Sequence, residues 1–86
     1  MHWKVKLEGD ENTLSTLAGS CSSPQAKVVR DGVDWFLEST DFDVIMDPVE
    51  VKTRATEILT SVASGAPVNL GPVYRLHYDN SKTVYR

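Results

Sequence analysis

Cys21 is the only cysteine in this chain, so there is no disulfide framework and no second thiol for a CxxC redox or zinc site. A reducing compartment fits that usage. Uninterrupted apolar runs are also missing. The N-terminus, MHWKVKLEGDE, carries charges at positions 4, 6, 8, 10 and 11, which leaves no room for a signal peptide or a membrane span, and the cytoplasm is the expected location. Positive charge is in short supply: nine Lys and Arg stand against twelve Asp and Glu, a net charge of −3. That is the wrong sign for a domain that neutralises phosphates, so nucleic acid is not expected as a partner, and without an apolar run neither is a membrane. Gly and Pro are sparse, at five and four, within an ordinary 41% hydrophobic and 24% charged composition that excludes disorder and low complexity. No GxSxG, GxxxxGK[ST], HExxH or GxGxxG occurs. No catalytic residue and no cofactor is expected, and the chain reads as a non-enzyme.

Eighty-six residues make one domain at most, and a domain of this size buries only about 60 to 65% of its unfolded surface. Each large apolar residue therefore matters. The chain opens on Met1 and closes on Lys82-Thr83-Val84-Tyr85-Arg86, a strand with no polar tail. Residues 1–86 read as a single α+β domain forming the N-terminal part of a longer, bacterial-type protein.

Alternation of Trp3, Val5 and Leu7 with His2, Lys4, Lys6 and Glu8 predicts a half-buried strand. A change of period follows: Asp10 caps a helix with Leu14, Leu17 and Ala18 as its stripe, closed by Gly19. Residues 20–24 read as a loop. Asp31-Gly32 predicts a type I′ hairpin between the strands 26–30 and 33–39, setting Val28 opposite Trp35 and Ala26 opposite Leu37 on one face, with Lys27 opposite Phe36 and Val29 opposite Asp34 on the other. Asp47, Pro48 and Glu50 form a capping signature for a second helix with Val51, Ala55, Ile58, Leu59 and Val62 inward, ended by Gly65 and Pro67. Residues 42–46 are open to either an irregular link or an early helical turn. Alternation resumes at Val73, with Tyr74, Leu76 and Tyr78 inward, and a turn at 79–81 leads to a last strand, 82–86.

The order is β-α-β-β-α-β with an additional C-terminal strand, the split βαβ arrangement of a ferredoxin-like two-layer sandwich. Both helices then cover one face of an antiparallel sheet, over a core of Trp3, Val5, Leu7, Val28, Trp35, Leu37, Tyr74, Leu76 and Tyr78. Trp35 and Phe36 are adjacent on a strand and so point to opposite faces. The face without helices carries Lys4, Lys6, Lys27, Val29, Asp34, Phe36 and Val84. It is either a solvated face with one sheltered ring or a contact patch for the rest of the polypeptide, a second copy or another protein.

Other clusters carry less. Asp41, Asp43, Asp47 and Glu50 are acidic, but an EF-hand loop from Asp41 needs an oxygen ligand where Ile45 stands and Gly where Met46 stands. His2 and His77 meet on the open face in this topology, yet a zinc site wants three or four ligands. Cys21 lacks a neighbouring base and reads as a surface thiol. RNA-binding sheets of this strand order stack bases on aromatic residues of the central strands, where this chain offers Lys4, Lys6 and a lone Phe36. The segment Leu7-Glu8-Gly9-Asp10 followed by Leu14 and Leu17 resembles the start of ACT-type regulatory domains over about the first twenty residues. That resemblance implies effector binding at the Gly9-Asp10 loop, although the family's glycine near the helix start is replaced by Glu11-Asn12-Thr13. The leading expectation is a non-catalytic interaction or structural module, with effector binding as the alternative and a small enzyme third.

Overall fold

Period-two alternation and two well-capped helices produce the elements seen in the computed structural model, which describes residues 3–63 and 65–85. They are β1 (Trp3–Gly9), α1 (Glu11–Ser20), β2 (Ser22–Ser23), β3 (Ala26–Asp31), β4 (Asp34–Glu38), α2 (Pro48–Val62), β5 (Val68–Leu76) and β6 (Lys82–Tyr85). Asp10 accepts from the amides of Asn12 and Thr13 at the start of α1. At α2, Asp47 accepts from the Glu50 amide while the Glu50 carboxylate accepts from the Asp47 amide, the reciprocal capping box.

The strands form one antiparallel six-stranded sheet in the order β2-β3-β4-β1-β5-β6. This differs from a simple ferredoxin-like sheet, with short β2 outside β3 and β6 outside β5. Residues 20–24 are not wholly a loop: Ser22 and Ser23 fold back on Lys27 and Ala26, and the Val28 amide donates to the Cys21 carbonyl. Both helices pack on the same face. Leu14 and Leu17 of α1 and Val51, Ala55 and Leu59 of α2 share one core with Trp3, Val5, Leu7, Val28, Trp35, Leu37 and Val73. Phe42, in the irregular link, joins that core, and so does Cys21, which is buried rather than a surface thiol.

Two registers differ from the sequence expectation. The β3–β4 turn is at Gly32-Val33, so Arg30 faces Trp35, Val29 faces Phe36, Val28 faces Leu37 and Lys27 faces Glu38. Only Gly32 takes a positive φ there, +66°, as in a type II′ turn, and Asp31 stays in the strand. This slip moves each pairing by two residues, so every side chain keeps its face.

The second difference does change faces. β5 begins at Val68, and its ladder with β1 shifts between Val5↔Val73 and Leu7↔Leu70. Gly71 and Pro72 of β5 thus oppose the single residue Lys6 of β1, a bulge that resets the alternation. Val68, Leu70 and Val73 face the helices, and Arg75 follows them, opposite Trp3. Tyr74 and Leu76 lie on the other face, and Tyr78 is exposed beyond the strand, so none of these three belongs to the core. A Cβ at Gly71 would sit 3.1 Å from the Glu8 carboxylate, the end of a flexible side chain that has only to shift by a few tenths of an ångström. Pro72 is tolerated because β6 pairs only with residues 73–76.

Two glycines give a direct test of this backbone. Gly32→Ala forces a side chain into the left-handed region and is expected to cost about 1 kcal/mol. Gly19 lies inside α1, and nothing stands within 4 Å of where its Cβ would be, so Gly19→Ala is expected to gain about 0.5 kcal/mol. Urea midpoints of the two variants should move in opposite directions.

Candidate interaction face

The face without helices is assembled from three rows. Val29, Phe36 and Lys6 stand side by side across β3, β4 and β1. Lys4, Tyr74 and Val84 do the same across β1, β5 and β6. Lys27 faces Glu38 at the end of the β3–β4 hairpin. Trp35 lies in the helix-side core at 8% exposure, whereas Phe36, absent from that core cluster, is only 3% exposed.

What seals Phe36 is local. The Tyr74 ring meets it edge-on, with centroids 5.2 Å apart at 82°, a favoured aromatic geometry. Lys4 crosses its other side with Nζ 4.0 Å from the ring centroid, and the ammonium donates to Asp31 Oδ2 at 3.1 Å. Lys4 is accordingly buried, at 7% exposure, with its stem over an aromatic ring and its charge on a carboxylate. Lys6 pairs with Asp34 at 3.6 Å, and Lys82 lies 6.0 Å from the Tyr74 ring. The face is a closed mosaic of lysines, carboxylates and two rings.

All seven residues expected on this face are placed on it by the registers. Lys4, Lys6, Val29, Asp34 and Phe36 come together, Val84 joins through Tyr74, and Lys27 sits exposed at the margin. Tyr74, Asp31 and Lys82 were not anticipated. Gly71-Pro72 was the available signal for Tyr74, since such a pair inside a strand pattern marks a bulge. Asp31 was hidden by its assignment to the turn.

On the helix side, Glu11 ties α1 to the β3–β4 hairpin. Its carboxylate accepts from Trp35 Nε1 and from Arg30 Nη1, both at 3.1 Å. A cleft of ≈490 Å³ runs between α2 and the start of β5, lined by Lys52, Thr56, Leu59, Val68, Asn69 and Leu70. Another of ≈390 Å³ lies beside Asn12, Thr13, Thr16 and Pro67 at the start of α1.

Several of the remaining candidates have structural partners. Asp43 accepts from the Ile45 amide, and Asp47 and Glu50 cap α2. His2 lies outside the described residues, and His77 Nε2 shares a hydrogen bond with Thr83 Oγ1 at 2.7 Å. Among the described residues no three His, Cys, Asp or Glu side chains are gathered to hold a metal ion, and no helix is long and apolar enough to cross a membrane.

The Lys4 hydrogen bond, reinforced by the Lys4 and Lys82 charges, holds the Asp31 carboxyl below the usual carboxylate range. A folded-state pKa below the unfolded one means that the ionised form favours the fold. The contribution is therefore complete above the unfolded value, about 4, and is lost as pH falls through the lower folded value. Asp79 behaves likewise through the Ser81 hydroxyl and amide. Urea midpoints measured between about pH 2 and 6 should fall on acidification, and less steeply in Asp31→Asn than in the parent.

Compared with known proteins, the chain matches no family model, no curated protein and no solved structure.

Proposed function

We propose that this chain is a non-catalytic interaction or structural module, a ferredoxin-like sandwich extended by edge strands, that meets its partner through the sheet face opposite the helices. One observation carries the reading: a face that no helix covers is nevertheless ordered by a sealed Phe36–Tyr74 pair and by the Lys4–Asp31 and Lys6–Asp34 ion pairs. Phe36 acts from beneath, as support. The groups offered to a partner are Tyr74, Lys6, Lys27, Asp34 and Val84, a mixed surface suited to a protein such as the rest of its own polypeptide, a second copy or another chain.

Amide shift mapping tests this directly. A ¹⁵N-labelled sample titrated with soluble extract of its source cells should show changes concentrated on Lys4, Lys6, Phe36, Tyr74 and Val84. A response confined to other surfaces, or none at these positions, contradicts it. The second reading, effector binding, is favoured by the cleft next to the Gly9-Asp10 loop. A thermal-shift screen of amino acids and nucleotides discriminates, because a small ligand there raises Tm without any macromolecular partner.

A further inference from the structure

The two edges of the sheet are unequal. β2 has two residues and runs into Pro24, which leaves little for another strand to pair with. β6 has four residues, no proline, and Lys82 as its only charge. The His77 amide donates to the Ser81 carbonyl. From that bond, the alternation of an antiparallel ladder turns the backbone groups of Thr83 and Tyr85 toward β5 and those of Lys82 and Val84 outward. Beside β6, a cleft of ≈250 Å³ lies over Val73 between α2 and the edge strand, flanked by Val49 and Tyr85, both exposed.

We propose that β6 pairs with β6 of a second copy, antiparallel about a two-fold axis, to join the two sheets. A register centred on Thr83 places Lys82 opposite Val84 of the second copy, so no like charges face each other, and it uses the outward backbone groups of Lys82 and Val84. Val49 and Tyr85 supply the apolar shoulder. Because the β2 edge cannot continue the ladder, assembly closes at two copies and does not grow into a fibre. This surface is a strand edge, and its argument is independent of the reading of the outer face.

Sedimentation equilibrium of the whole chain from micromolar to millimolar concentration should show the mass rising toward that of a dimer. Val84→Pro removes an outward N–H while leaving the β5–β6 hydrogen bonds in place. It should weaken association at least tenfold while the β5–β6 pairing persists, read from slow exchange of the Arg75 amide opposite Thr83. In a mixed sample of labelled and unlabelled protein, an isotope-filtered Hα–Hα contact between the two Thr83 residues should appear, since a non-hydrogen-bonded antiparallel pair brings its Cα atoms to about 4.5 Å. A monomer throughout the concentration range, a dimer indifferent to Val84→Pro, or a dimer without the Thr83 contact overturns the proposal.

Discussion

Trp3→Ala is expected to remove about 4 kcal/mol of stability, between about a third and nearly all of what a chain of this size possesses at roughly 0.05–0.15 kcal/mol per residue. Trp3 is fully buried, and its surroundings explain why the loss exceeds that of one more apolar side chain. The indole Nε1 donates to the Asp43 carbonyl at 3.0 Å, anchoring the irregular link between β4 and α2. The Arg75 guanidinium lies 4.7 Å from the ring and donates onward to the Val44 carbonyl. Tyr85 of β6 stands 6.0 Å from the same ring. One side chain thus joins β1 to the link, to β5 and to the edge strand. Trp3→Phe retains most of the burial and gives up the hydrogen bond to Asp43, so it should cost much less than the alanine variant; urea unfolding of both variants checks the ratio.

Phe36→Ala is expected to cost about 3 kcal/mol, a large penalty for a residue on a face without helices. The ring fills the space between Tyr74 and Lys4. Its loss leaves the Lys4 stem without an apolar bed and the ammonium with only Asp31. The helix-side core contains Trp3 and Trp35 but not Phe36, so circular dichroism should show both helices intact and tryptophan fluorescence should stay native-like below the transition. Equilibrium unfolding followed by both signals measures the cost and its location together. A loss within about 0.5 kcal/mol, the range of an ordinary surface change, would mean that the ring is solvated.

These two residues also show where sequence reading succeeds and where it stops. Trp3, Val5 and Leu7 announce their face by simple alternation, and the separation of Trp35 from Phe36 follows from the same geometry. Asp10 and Asp47 mark the helix starts because capping is local chemistry, contained within three residues of the cap. The faces of Lys4, Lys6, Lys27, Val29 and Asp34 were legible for that reason. Tyr74 was not, because its orientation depends on a bulge that exists only when β5 pairs with β1. Pro72 and Gly71 hint at irregularity without fixing where the extra residue goes. A sheltered Phe36 was one of the two readings the sequence left open, but the groups that shelter it and bury Lys4 were hidden, since they need Tyr74 and Asp31 brought in from β5 and β3. Cys21 reads as a loop thiol until β2 folds back and takes it into the core.

The central claim is that neighbouring rings at 35 and 36 serve opposite faces, the indole under the helices and the phenyl sealed on the far side by Tyr74 and Lys4. Nuclear Overhauser contacts from the Phe36 ring protons test it most directly. The account predicts contacts to the Tyr74 ring and to the Lys4 side-chain methylenes, and none to the methyl groups of Leu14, Val51 or Leu59. Contacts from Phe36 to those helix methyls, with the Tyr74 ring distant, would contradict it.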